Sequence, residues 1–569
     1  MILKGLGVSK GYGIGKVFVV KESEISFAAD KRCDSATELN RFNDALEVFL
    51  DKNTKLAQKL SETVGEKESE IITGHIVMMQ DPYMKSEIEK NINDGVSAEG
   101  AVSAVCDTFI AMFSGVDDEF TRQRAADVKD IKEEMLSILT GAAETDFSNL
   151  EKGTVLVVKE LTPSMTAKIN KENVVGFITE TGSDTSHAAI LARAMQIPAV
   201  LGVDNVTGIM ESGRNVVVDG SQGIVLTDPT DEETESYLEK QKKFAEHREA
   251  LSHFIGKPTI TKDGIKVDLF ENIGTPEDAE SVKTQDAEGV GLFRTEFLFM
   301  DRNSAPDESE QFEAYKKALL IMKDKPVIIR TLDIGGDKAI PYLGLEKEDN
   351  PFLGFRAVRY CLKNEQIFIS QLRALLRASA FGNLSIMIPL VTGIEELRAV
   401  RKMLEEIKAD FDKNGTAYDK NIKLGVMIET PAAAVTADIL AKEADFFSIG
   451  TNDLTGYTLA VDRGNTNVAY LYSAFAPSVL RLIKYVIESA KKAGIPVGMC
   501  GEAAADTMLI PLLLSFGLDE FSVSSTSVLS TRKEIARWTK EQADSVARAV
   551  MSLETTEEIK EELKKHCEE

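Results

Sequence analysis

From about Lys257 onward the chain repeats one unit: an apolar run of strand length, a polar turn and, in most cases, a helical stretch before the next run. Eight runs qualify: KVDLFENI, GVGLFRTEF, PVIIRTLDI, LSIMIPLV, KLGVMIET, FFSIGTND, IPVGMCGE and DEFSVSS. Eight β-then-α units in some 310 residues predict a C-terminal (β/α)8 barrel of the TIM type over residues 259–569. An open doubly wound sheet is the alternative, and the count fits it less well.

The chain ahead of the barrel has a different texture. Residues 1–20 set glycines among apolar strand residues, and a charged stretch follows. From there to about Leu139 the spacing of Leu39, Phe42, Leu46, Phe49 and Leu50 is helical and predicts a bundle, with Asp81-Pro82 marking a turn or a new helix start. His75 lies beside an apolar stripe there, and a satisfied interhelical histidine is favoured over a functional one. From Gly153 short strands and turns return. Residues 1–33 and 146–228 therefore read as one discontinuous α/β domain with a helical domain, 34–145, inserted into it. Residues 229–258 read as a linker helix, since DPTDEETESYLEKQKKFAEHREALSH is highly charged and long enough for a helix of about 38 Å.

At 569 residues, three or four domains of about 150 residues are expected. The net charge of -26 argues against a nucleic-acid groove or an anionic membrane surface as the main partner. No apolar run approaches the roughly 20 residues of a membrane span, and MILKGLGVSKGYG is no signal peptide, so a cytoplasmic location without membrane insertion is expected. Cys33, Cys106, Cys361, Cys500 and Cys567 are too far apart to suggest a disulfide framework or a zinc site. The five histidines are too scattered for a histidine-built metal site.

Two regions carry chemistry. In TGSDTSHAAILARAMQIPAVLG, Thr181 to Gly202, Thr185 or Ser186 can cap a helix that opens at His187 and runs to about Ile197, where Pro198 stops it. A histidine beside free backbone N–H groups and the positive end of a helix dipole suits an arriving phosphoryl group, although the local pattern alone favours a surface residue. In the barrel, the strand ends present Arg294, then Arg330 and Asp333, then Glu429, then Asn452 and Asp453, then Cys500 and Glu502, with Arg463 ten residues past Asp453. Each alone reads as a rim charge. Together they offer arginines for bidentate anion recognition and two carboxylates for a divalent ion, so the expected ligand is small and multiply anionic, held with Mg²⁺. Cys500 suits proton donation to an enolate, and an inert buried thiol fits its spacing equally.

These segments resemble the phosphoenolpyruvate–protein phosphotransferases, enzyme I of the bacterial sugar phosphotransferase system. The likeness runs nearly end to end through KGLGVSKGYGIGKV, the His187 segment, GLFRTEFLFMDR, IIRTLDIGGDK, NPFLGFRAVR, MIETPAA, FFSIGTNDL, LAVDRGN and GMCGE. The resemblance implies a swivelling phosphohistidine domain, an inserted helical domain that docks a histidine-containing phosphocarrier protein, and a barrel that forms a homodimer and binds phosphoenolpyruvate with Mg²⁺. Position by position, it implies that His187 accepts the phosphoryl group through Nε2. By the same carry-over Arg294, Arg330, Asn452, Asp453 and Arg463 hold phosphoenolpyruvate, Glu429 and Asp453 ligate Mg²⁺, and Cys500 protonates the departing enolate. Lys338 and Arg356 lie in matching motifs and add positive charge.

The chain departs from the family pattern at Gly182, Ser183 and Asp184, where two glycines and then Arg or a neutral residue usually precede Thr-Ser-His. Gly456 replaces a usual glutamine. Asp184 places negative charge three residues from the histidine. The alternative function is thus a catalytically impaired paralogue acting as a regulatory docking protein in a phosphorelay. A phosphoenolpyruvate synthase or pyruvate phosphate dikinase requires a nucleotide-binding domain, for which residues 34–145 leave no room.

Overall fold

The computed structural model describes all residues except 21–26, 28–33, 64–65, 115–118, 143–146, 148–149, 167, 184–185, 301, 303, 336–339, 463–464 and 567–569. The chain forms two compact units, Met1–Arg248 and Glu249–Glu569.

The first unit is built on an eight-stranded mixed sheet of order β1-β8-β7-β3-β4-β5-β6-β2. Its strands are β1 (Ile2–Lys4), β2 (Leu6–Ser9), β3 (Tyr12–Val19), β4 (Thr154–Val158), β5 (Val174–Thr179), β6 (Ala199–Leu201), β7 (Asn215–Asp219) and β8 (Ile224–Thr227). β3, β4, β5 and β6 run parallel, while β7 and β8 form an antiparallel pair. All five residues of β4, TVLVV, are buried because both faces of the sheet are covered. Leu156 and Val158 pack into one core with Phe177 and Ala189, and Val155 and Val157 into the other with Ile178 and Val216. The glycines of β3 have a steric cause. A Cβ at Gly13 would stand 2.2 Å from the Val175 carbonyl oxygen, and one at Gly15 2.0 Å from that of Gly153.

Between β3 and β4 the described residues form five helices: α1 (Ser35–Thr63), α2 (Glu66–Met79), α3 (Pro82–Asn93), α4 (Ala98–Ser114) and α5 (Glu119–Thr140). Phe42, Phe49, Ile88, Val102 and Ile131 share their core. Asp81 caps α3 by accepting from the N–H groups of Tyr83 and Met84, and Pro82 needs no partner at the first helical position. His75 is buried between helices, with Nε2 3.4 Å from Asp127 on α5 and Nδ1 without a hydrogen-bond partner among the described residues, so the expected interhelical histidine is satisfied on one nitrogen. Asp127, Asp130 and Glu134 hold its pKa above the ordinary value against the opposing effect of burial. The charged stretch after β8 is a helix, Asp231–Ser252. It lies along the sheet through Tyr237, 5.9 Å from the Tyr12 ring, and through Gln241, which donates to the Tyr12 carbonyl at 2.6 Å.

The second unit is a closed barrel of eight parallel strands. They are β9 (Asp268–Ile273), β10 (Gly289–Phe293), β11 (Val327–Arg330), β12 (Leu384–Ile388), β13 (Lys423–Ile428), β14 (Phe447–Ile449), β15 (Val497–Met499) and β16 (Glu520–Val523), with β16 pairing β9 to close it. Each of the eight apolar runs supplies one strand. Outward residues such as Phe293, Ile329, Ile386 and Phe447 join the helices in one large core, while Leu292, Ile328, Met387, Met427, Phe446 and Cys500 fill the lumen. Among the described residues no helix is long and apolar enough to cross a membrane.

Candidate active site

Strand parity aims the polar residues. Arg330 follows Ile328 by two residues on β11 and therefore shares its lumen face, as Glu429 does after Met427 and Cys500 after Gly498. All three emerge at the carboxyl ends of the strands, where loops can add further groups.

Two guanidiniums meet one carboxylate there. Arg330 Nη1 lies 3.0 Å from Asp333 Oδ2, and Arg356 Nη2 lies 2.7 Å from Asp333 Oδ1. Arg330 Nη2 also donates to Glu296 at 3.0 Å, and Glu296 accepts from the Asp333 N–H at 3.1 Å. Asp333 is 5% exposed and Arg330 12%, so these pairs operate with little water. Burial alone would lower the pKa of both arginines. Glu296, Asp333 and Glu429 around Arg330, and Asp333 and Asp453 around Arg356, raise it instead and fix both as cations. Arg330 Nε is buried and has no partner among the described residues.

Glu429 accepts from the Leu390 N–H at 2.6 Å, and Leu390 is held at φ 55, a left-handed conformation uncommon for leucine. Burial, together with the like charges of Asp333 and Asp453, pushes the Glu429 carboxyl well above the usual range. Asp453 sits in the first turn of the helix Thr451–Leu459, 3.7 Å from Arg356. Two carboxylates that repel each other in a buried site suit a hard divalent cation, which neutralises both. Among the described residues no group of three or more His, Cys, Asp or Glu is gathered as a metal-ligand cluster. Asn452 is held by Glu502, with Nδ2 donating to Oε1 at 3.1 Å and Oδ1 accepting from the Glu502 N–H at 3.2 Å. Burial pushes the Cys500 thiol up to about 11, so it stays protonated near neutral pH.

Arg294 is exposed just past the end of β10. Arg463 and Lys338 lie outside the described residues. On the first unit, Ser186 caps the helix His187–Met195 by accepting from the Ala189 N–H at 3.4 Å, so His187 is its first residue; its side chain is outside what the structure describes, as are Asp184 and Thr185. The helix ends two residues before the expected Ile197 because Gln196 turns left-handed at φ 59. Gly182 takes φ +130 in the preceding loop, whereas Ser183 is not among the residues of positive φ, so a serine there needs no special backbone. A Cβ at Gly456 would meet only the Val461 carbonyl oxygen at 3.3 Å, so nothing in the fold demands glycine there.

Glu296 escaped the sequence reading although it stands two residues past Arg294. Its signal was a carboxylate in the same strand-end loop as an arginine.

Residues 248–540 match the family model for the PEP-binding domain of PEP-utilising enzymes, 150–223 that for the mobile domain, and 4–124 that for the N-terminal domain. With the parallel barrel and its cationic, carboxylate-lined mouth, they define a phosphoenolpyruvate-utilising enzyme. A phosphoenolpyruvate-protein phosphotransferase of Bacillus subtilis is 43% identical over 558 residues, 98% of each chain. One of Listeria monocytogenes is 44% identical over 568 residues, 100% of this chain and 99% of the other. A solution structure of an Enzyme I protein matches 43% of this chain and 99% of its own at 34% identity and a TM-score of 0.38. The chain belongs to the phosphoenolpyruvate–protein phosphotransferase family, and it carries out phosphoenolpyruvate-dependent phosphoryl transfer in the phosphotransferase system.

Proposed function

We propose that the strand-end cluster binds phosphoenolpyruvate and that His187 takes its phosphoryl group, passing it on to a histidine of a small phosphocarrier protein. The observation that carries this reading is the pair of guanidiniums, Arg330 and Arg356, gathered on Asp333 beside the Glu429 and Asp453 carboxylates at the strand ends. Arg330, Arg356 and, from the rim, Arg294, Asn452 and Arg463 orient the substrate's phosphoryl and carboxylate oxygens. Glu429 and Asp453 hold Mg²⁺, which when bound neutralises charge on the phosphoryl group and the developing enolate. His187 attacks phosphorus, the P–O bond to the enolate breaks, and the Cys500 S–H gives its proton to the enolate carbon to yield pyruvate. The Ser186 cap fixes the helix start behind His187, whose free N–H groups favour the arriving anion.

The wider organisation follows the same reading. Residues 1–33 with 146–228 form the phosphohistidine domain, 34–145 dock the carrier, 229–258 link, and 259–569 bind substrate and pair as a homodimer in the cytoplasm. Exposed Val48, Val77, Tyr83 and Met112 on or beside the inserted helices give the carrier an apolar contact. Purified protein with Mg²⁺ and labelled phosphoenolpyruvate should take up acid-labile, base-stable label and release pyruvate, and His187→Ala should take up none. Equal labelling of the variant overturns the assignment of His187.

A further inference from the structure

Below Cys500 the barrel lumen holds a carboxyl that the reaction as described leaves idle. Glu520 opens β16, level with Gly498 of β15 and Asp268 of β9. Its side chain turns inward. A Cβ at Gly498 would lie 2.9 Å from Glu520 Cδ, and one at Gly291 2.4 Å from Glu520 Oε1, so glycine at both positions makes room for the carboxyl. Oε1 is buried and has no hydrogen-bond partner among the described residues. Charge on such an oxygen is costly. Burial, with Asp268 and Asp519 adding like charge, pushes this carboxyl up to about 8, so at neutral pH it keeps its proton.

Ser448 stands level with Glu520 in the lumen, since both are paired with Gly498, and the reaction leaves it idle as well. Cys500 follows Gly498 on the same lumen face, about 6.6 Å further along the strand. Ser448 of β14 is paired with Gly498 and fully buried. Its hydroxyl makes no hydrogen bond of ordinary geometry, yet it faces the Cys500 thiol closely enough to favour the thiolate. Asn272 donates to the Cys500 carbonyl at 3.1 Å and accepts from Ser522 at 2.7 Å, which pins the strand segment that carries the thiol. The charged groups felt at the thiol are Glu429, Arg330 and Glu520, and those felt at Glu520 are Asp268 and Asp519.

We propose that Glu520 is the internal acid that restores the Cys500 thiol after each protonation of the enolate, with the Ser448 hydroxyl carrying the proton between them. The proposal rests on Cys500 being the proton donor. When the thiol acts, its S–H bond breaks, a C–H bond forms on the enolate carbon, and a thiolate remains. Ser448 O–H then gives its proton to sulfur while its oxygen takes the proton of the Glu520 carboxyl, leaving a carboxylate. Water at the amino-terminal end of the barrel, where the Asp268 and Asp519 side chains are 44% and 35% exposed, protonates Glu520 again. Acid strengths set the direction, since a carboxyl near 8 yields its proton to a thiolate whose acid lies near 11.

The full-length protein in D₂O, with Mg²⁺, phosphoenolpyruvate and carbon-labelled pyruvate, yields two rates: exchange of label between pyruvate and phosphoenolpyruvate, and entry of solvent deuterium into the pyruvate methyl group. Exchange can pass one proton back and forth between thiol and substrate, whereas deuterium entry requires the route to solvent. Glu520→Gln should lower deuterium entry per exchange event by about tenfold, a modest share of what positioned proton transfer contributes. Ser448→Ala should move the same ratio in the same direction. A ratio unchanged in Glu520→Gln overturns the relay, whether both rates fall together, as a purely structural residue would cause, or neither moves. Cys500→Ala should lose exchange itself. If it does not, the donor reading falls and the relay with it, so the two failures are distinguishable.

Discussion

Asp333 neutralises two buried guanidiniums at once, and its substitution exposes what each is for. Asp333→Asn leaves Arg330 and Arg356 without their shared countercharge, and breaking a buried pair in this way costs about 3 kcal/mol. The expected outcome is a lower denaturation midpoint and a KM for phosphoenolpyruvate raised more than kcat is lowered, because the arginines lose orientation rather than charge. An unchanged KM would remove Asp333 from the substrate-positioning role. Glu520 gives a prediction of opposite character. Its carboxyl ionises near 4.5 when unfolded and near 8 in the fold, so the native state binds the extra proton between those values. Its contribution to stability is fully present below the lower value and is lost as pH rises through the higher one, by up to about 1.4 kcal/mol per pH unit. Glu520→Gln removes that dependence, and melting temperatures from pH 5 to pH 8 should therefore fall less steeply in the variant than in the parent.

At the scale of elements, caps and strand ends decide where structure stops and chemistry begins. Removing the Asp81 cap leaves the Tyr83 and Met84 N–H groups unpaired, so Asp81→Ala should destabilise the inserted helices by about 1 kcal/mol, read by thermal unfolding followed by circular dichroism. The eight apolar runs were legible as strands because each is short, apolar and bounded by turn residues. Each strand is nevertheless shorter than its run. PVIIRTLDI yields only Val327–Arg330, and the remainder becomes the loop that delivers Asp333. Ser448 and Glu520 went unread for a related reason. A polar residue inside FFSIG or DEFSV shows nothing of its partners until the barrel closes and strand parity turns it into the lumen.

At the scale of the whole molecule, the division at Arg248 and Glu249 separates the unit that carries His187 from the unit that carries the strand-end cluster. A ligand that binds only the barrel should stabilise only the barrel. Phosphoenolpyruvate with Mg²⁺ at 100 times its Kd adds about 2.7 kcal/mol to the unit it binds. In calorimetry of the full chain bearing His187→Ala, the barrel transition should move up and the other should stay in place. A shift of both together would mean that the two units unfold as one. Under the proposed assignment of the cation to Glu429 and Asp453, a chelator should abolish the shift, since the two carboxylates then repel each other beside the substrate anion.

The sequence by itself determined the count of β-then-α units, the inserted helical segment, the His187 helix start and the set of arginines and carboxylates at the strand ends, because these follow from periodicity, capping and residue type over short stretches. Only the tertiary structure decided which of those charges neutralise one another. The bridge from Arg330 through Asp333 to Arg356, the tether of Glu429 to the Leu390 N–H and the place of Glu520 beneath Cys500 join residues 3 to 39 positions apart or set them on neighbouring strands of a closed barrel. Such contacts depend on strand register and on the glycines that leave space in the lumen, and neither is a property of any single segment.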